Sequence, residues 1–98
     1  MILARVVGTV VASHKEPKME GMRLLLLEKL DPITMNGKND FVVSVDCVGA
    51  GTGEVVFYAT GSSARCTKQT EGLPSDASII AIVDAIEKDG AFTYRKSQ

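Results

Sequence analysis

The sequence predicts a mainly all-β domain: a small five-stranded barrel with one short helix between the fourth and fifth strands and a C-terminal hairpin. Three observations carry this. Runs of alternating apolar and β-branched residues recur along the chain. Clusters of Gly, Pro, Asn, Asp and Ser punctuate them at short intervals. The 98 residues suffice for one domain with a single core but not for a large active-site cleft. Such a barrel is of the OB type. OB barrels usually place their helix between strands three and four, so the topology is OB-like.

In the first strand Ile2, Ala4, Val6, Gly8, Val10 and Ala12 are small or apolar, and the intervening Leu3, Arg5, Val7, Thr9 and Val11 are mixed. One face therefore lies in a core and the other is partly covered. Gly8 predicts a bulge or bend, as a long strand shared by both halves of a barrel requires. Residues 13–21 are polar, contain Pro17 and end in Gly21, and read as a loop. The second run, residues 24–30, has helix propensity, but Asp31-Pro32 ends it too soon for a stable helix, which leaves a strand. Residues 35–40 follow as a turn around Asn36-Gly37.

The third strand alternates Phe41, Val43 and Val45 with Val42, Ser44 and Asp46; the fourth alternates Val55, Phe57 and Ala59 with Val56, Tyr58 and Thr60. Gly61 breaks the fourth, and the serines after it offer an N-cap for a short helix through about Lys68, followed by a loop at residues 72–76. Residues 79–86 fit either a helix or a strand, and the β-branched Ile79, Ile80, Ile82 and Val83 favour the strand. Asp89-Gly90 predicts a two-residue hairpin that returns residues 91–94 along it.

Composition limits function. The net charge is −1 with both signs scattered, so the chain lacks the basic footprint of nucleic-acid binders. No apolar run approaches the ~20 residues that span a bilayer, and the N-terminal residues lack the order of a signal peptide. The expectation is a cytoplasmic protein without nucleic-acid or membrane partners. Cys47 and Cys66 lack C-x-x-C spacing and His14 is the single histidine, so the cysteines read as small buried hydrophobes and neither metal nor cofactor is expected.

Between the third and fourth strands lies Gly49-Ala50-Gly51-Thr52-Gly53-Glu54. The dinucleotide fingerprint G-x-G-x-x-G would need glycine where Glu54 stands. Phosphate binding also uses the N-terminus of a following helix, whereas Glu54 opens the strand run Val55-Val56-Phe57-Tyr58. These glycines instead suit positive φ or close approach of another backbone.

Catalytic candidates are sparse. Ser62 and Ser63 lack a G-x-S-x-G elbow, and the spacing of Asp46, Glu54, Asp76 and Asp84 pairs no two carboxylates on one face. Ion pairing is their better use. Asp46 and Asp84 end apolar strands, and Arg65, between glycine- and serine-rich turns, could supply a bidentate partner.

Leu3-Ala4-Arg5-Val6-Val7-Gly8-Thr9-Val10-Val11, Val48-Gly49-Ala50-Gly51-Thr52-Gly53-Glu54, Gly61-Ser62-Ser63-Ala64-Arg65 and Ile82-Val83-Asp84 occur in this order. With this spacing the chain resembles the EutN/CcmL family of bacterial microcompartment vertex proteins over nearly its whole length. Residues 13–21, the turn near Asn36-Gly37 and the tail after Asp84 depart from the pattern. The resemblance implies a five-stranded barrel that forms cyclic homopentamers and caps the fivefold vertices of a polyhedral shell, beside hexameric shell proteins. Hexagonal tiles alone make a flat sheet, and a head-to-tail interface that closes at five supplies the corner. The role would be structural and not catalytic.

On that reading Gly49, Ala50, Gly51, Thr52 and Gly53 lie near the fivefold axis or a neighbouring subunit, with Glu54 and Arg65 setting register, and Gly61, Ser62 and Ser63 are an alternative pore lining. The competing function is an OB-like nucleic-acid or small-ligand module. It would have to stack bases on Tyr58, Phe92 and Tyr94, since Phe41 and Phe57 fall at core positions. A small enzyme using Cys47 or Cys66 is a third reading, and it requires a thiol of depressed pKa.

Overall fold

The computed structural model describes residues 1–13, 17, 21–61 and 77–97. Its strands are β1 (Ile2–Val10), β2 (Leu24–Leu30), β3 (Gly37–Asp46), β4 (Val55–Thr60), β5 (Ala77–Ile82), β6 (Ala85–Lys88) and β7 (Ala91–Arg95). The first five close into a barrel in the order β1-β2-β3-β5-β4, with β4 pairing back onto β1. Every neighbouring pair is antiparallel except β3 and β5, which meet in parallel at Val45–Ser78 and Asp46–Ile79. The barrel expectation is met. The short helix through Lys68 and the loop at 72–76 lie outside the described residues.

Two apolar clusters hold the fold. Inside the barrel Val6, Leu25, Leu27, Val56, Tyr58 and Ile79 pack with Ala4, Ala50 and Ala77, large side chains alternating with small ones as a narrow barrel interior requires. A second cluster joins Leu3, Leu30, Val55 and Val83, with Met35, Phe57, Ile86 and Tyr94 against it. This cluster lies on the other face of β1 and β4 and seats the C-terminal hairpin. It explains why Leu3, Val55 and Phe57 are apolar although they face away from the barrel interior: they lie beneath β6 and β7. Removing a buried leucine such as Leu27 to alanine leaves a cavity and costs about 2–5 kcal/mol.

The bulge predicted at Gly8 is present, since the β1–β2 register slips between Val6 and Gly8. Beyond the slip the first strand stops at Val10.

Three expectations need correction. The turn between β2 and β3 is not centred on Asn36-Gly37: β3 already begins at Gly37, and the reversal occupies Pro32, Ile33 and Thr34. The cause is Asp31, whose Oδ1 accepts the N–H groups of Ile33 (2.8 Å) and Thr34 (3.1 Å) while its carbonyl takes Met35 N–H (2.8 Å). Those N–H groups hold the Asp31 carboxyl below its usual range.

The C-terminal hairpin forms at Asp89-Gly90, both at positive φ (54° and 81°), as a primed turn demands. However, β7 returns along β6 rather than along the fifth strand, and the two form a separate sheet. The fifth strand already has a neighbour on each side, β4 and β3, and the chain leaves the barrel at Val83 and Asp84 and pairs with itself.

The aromatic assignments also change. Phe41 is half exposed, because on β3 it stands opposite Glu28 on the outer face, whereas Tyr58 is 1% exposed in the barrel core. Tyr58 is therefore unavailable for stacking. Burial pushes its phenol pKa up.

Candidate functional site

The glycine loop, residues 47–54, joins β3 to β4 and is fixed by its own carboxylates. Asp46, at the end of β3, has a side chain that is 1% exposed. Its Oδ1 accepts the N–H groups of Val48 (3.1 Å), Gly49 (3.0 Å) and Ala50 (3.2 Å). Its Oδ2 pairs with Arg23 Nη1 at 3.0 Å, and the same nitrogen reaches Ala50 O at 3.3 Å. One buried carboxylate thus collects the donors of the loop's first half. Asp46 finds its guanidinium in Arg23, just before β2, while Arg65 lies outside the described residues. Ala50, fully buried, plugs the barrel core from the loop.

The second half is held from the other side. Gly53 N–H donates to Val6 O (2.7 Å), Val6 N–H donates to Glu54 O (2.9 Å), and Arg5 Nη1 donates to Gly53 O (2.8 Å). At the tip, Glu54 N–H donates to Gly51 O (3.1 Å), and Gly51 N–H donates to Glu54 Oε1 at 2.6 Å. The other carboxylate oxygen, Glu54 Oε2, pairs with the Lys96 ammonium, which follows β7. Lys96 first and the Gly51 N–H second hold the Glu54 carboxyl below its ordinary range, and Glu54 in turn raises Lys96.

An anion nest needs converging, unspent N–H groups. Here the donors of Val48, Gly49, Ala50, Gly51, Gly53 and Glu54 are all taken within the chain. The loop is a stiff protrusion rather than a phosphate cradle.

Its three glycines have different reasons. Gly49 (φ 79°) and Gly53 (φ 92°) adopt left-handed backbone that a side chain would strain. Gly51 lies outside that region, and a Cβ added there would meet Glu54 Oε1 at 3.5 Å, an ordinary contact. Among the described residues, nothing demands glycine at Gly51. Gly61, at the end of β4, has φ 61° and is exposed; Ser62, Ser63 and Arg65 lie outside the described residues.

Asp46 could have been found in the sequence, because an aspartate ending a strand two residues before a loop N–H is an Asx-turn signal. Lys96 could not. It stands forty-two positions from Glu54 and joins it only because the hairpin folds back over the barrel.

A family model described as ethanolamine utilisation protein EutN/carboxysome matches residues 1–84. The chain belongs to the EutN/CcmL family. The carboxysome shell vertex protein CcmL of Synechococcus elongatus is 36% identical over 98 residues, spanning 100% of this chain and 98% of that protein. Among solved structures, Gloeobacter violaceus CcmL superposes with a TM-score of 0.92 at 41% identity, covering 98% of both chains. The GrpN pentameric microcompartment shell protein from Rhodospirillum rubrum gives 0.80 at 38% identity, over 90% of this chain and 99% of its own. In this EutN/CcmL member the glycine loop and the whole barrel lie within the matched residues, and the β6–β7 hairpin with Lys96 follows them.

Proposed function

We propose that this chain is a structural, non-catalytic shell protein of a bacterial microcompartment. It forms a cyclic homopentamer that caps a fivefold vertex in the cytoplasm, with hexameric shell proteins as its neighbours. The observation that carries this is the likeness, over nearly the full chain, to vertex proteins and to a pentameric shell protein at 36–41% identity.

The subunit contact is assigned to Gly49, Ala50, Gly51, Thr52, Gly53 and Glu54, with Gly61, Ser62, Ser63 and Arg65 beside it or lining the pore. A head-to-tail ring needs a rigid element on one protomer that enters a fixed surface of the next. The loop's internal hydrogen bonds supply the rigidity, and the Gly51 position leaves room for a neighbour's backbone. Glu54 can still take part across the contact, because an ionised carboxylate accepts more bonds than the two it makes here, and Arg65 is the donor proposed for it.

Native mass spectrometry of the purified protein tests the assembly. A dominant fivefold multiple of the 10.4 kDa chain is expected. A dominant monomer or dimer at high concentration would overturn the proposal.

A further inference from the structure

The described bonds leave the tip of the glycine loop with one support. Residues 48–50 are anchored by Asp46, and Gly53 is anchored by Val6 and Arg5. Gly51 is tied only to Glu54, through its N–H to Oε1 and its carbonyl to the Glu54 N–H. Glu54 is itself a half-buried side chain at the barrel surface, and water would compete for its carboxylate. Lys96 occupies the second oxygen and so restricts the rotamer that presents Oε1 to Gly51.

Lys96 is firmly placed. Its own N–H donates to Asp84 O at 2.8 Å, closing the base of the hairpin. The hairpin is tied to the barrel by Thr93 Oγ1, which donates to Pro32 O at 2.9 Å, and by Ile86 and Tyr94 against the second apolar cluster. The pathway therefore runs from the packed hairpin to Lys96, then to Glu54, and from there to the tip at Gly51.

From this geometry we infer that the C-terminal hairpin is an assembly element, with Lys96 as a positioning residue that presets the Gly51 tip for contact with a second copy of the chain. The inference rests on the assignment of the loop to the subunit contact. It gives residues beyond the family match a part in assembly while they need not touch the neighbouring protomer themselves. A preset tip loses less conformational freedom on association than one that must order at that moment.

Analytical ultracentrifugation of dilution series tests it on the full-length chain, with Lys96→Met, Lys96→Arg, Glu54→Gln and Gly51→Ala side by side. Lys96→Met is expected to raise the concentration of half-assembly by about threefold or more, and Lys96→Arg to restore it, because a partly exposed pair acts weakly at each contact but at every contact of the ring. Glu54→Gln keeps an oxygen for Gly51 N–H but cancels the charge that holds Lys96. It should shift assembly by at least as much as Lys96→Met, since it also removes the charge proposed to meet Arg65, and adding Lys96→Met to it should change little further. Monomer thermal midpoints of the two Lys96 variants should stay close to wild type.

If Gly51→Ala disrupts assembly while Lys96→Met and Glu54→Gln assemble as wild type, the hairpin's part is refuted and the loop contact stands. If Gly51→Ala also assembles as wild type, the loop assignment fails and the inference falls with it. Loss of assembly in Lys96→Met that Lys96→Arg does not rescue, accompanied by a fall in monomer stability, would reduce Lys96 to a merely structural residue.

Discussion

Gly51→Ala should separate folding from assembly. Within the protomer the change is mild: Gly51 is not at positive φ, and the added methyl meets Glu54 Oε1 at 3.5 Å. Replacing glycine where the backbone permits alanine restricts the unfolded chain, so the monomer should be unchanged or gain about 0.4–1 kcal/mol. A methyl inserted where a neighbouring backbone packs closely acts in the opposite direction, by about 1–3 kcal/mol per contact.

In the proposed ring five equal contacts form in four additions, so the half-assembly concentration scales with five-fourths of the contact penalty. With RT of about 0.59 kcal/mol, that is roughly eightfold at the low end and several hundredfold at the high end. Thermal unfolding below the assembly concentration reads the first effect, and sedimentation across a dilution series reads the second. Gly53→Ala is the control. At φ 92° it should destabilise the monomer itself, by about 1–2 kcal/mol. A Gly51→Ala protein that assembles at wild-type concentrations would refute the close approach at the tip. One whose monomer is clearly weakened would refute the claim that the protomer leaves room there.

Asp46→Ala should destabilise the monomer by about 2–4 kcal/mol in urea titrations, because it strands three backbone donors and the Arg23 guanidinium at once; a loss under 1 kcal/mol would show that water replaces the anchor. Acid should weaken the loop through Glu54. Its folded pKa lies below the ordinary 4.5, so its contribution is complete above the unfolded value and is lost as pH falls through the folded one. Stability measured from pH 6 to pH 2 should therefore fall below about pH 4.5, and Glu54→Gln should flatten part of that fall. Asp31, lowered by the N–H groups of Thr34 and Ile33, adds to the same acid slope and should persist in that variant.

Much of the barrel was legible in the chain because strand alternation and turn chemistry are local. Period-two runs marked β1, β3 and β4, the Asp31-Pro32 stop left β2 as a strand, β-branched content favoured β5, Gly8 marked the bulge, and Asp89-Gly90 marked the hairpin turn. The errors arose where a decision was not local. Asp31 drew the β2–β3 reversal upstream of Asn36-Gly37 by capping two amides, an interaction that competes with the better-known turn signal. Phe41 looks like a core residue because aromatic residues favour strands, but which face of β3 meets the core depends on the register with β2. The candidate site was legible as a loop and not as a mechanism: three alternating glycines read alike in sequence, and only φ and the surrounding atoms distinguish Gly49 and Gly53 from Gly51.

The sequence by itself determined the fold class, the family and the position of the glycine loop, because these depend on residue order, short-range periodicity and motif spacing. Tertiary structure alone decided the partners: Arg23 for Asp46, Lys96 for Glu54 and Val6 for Gly53. Each joins residues far apart in the chain, brought together by the β2–β3 pairing, by barrel closure between β1 and β4, and by the hairpin folding over those two strands. A charge in a sequence does not specify which opposite charge it will meet, since that depends on how the strands pair.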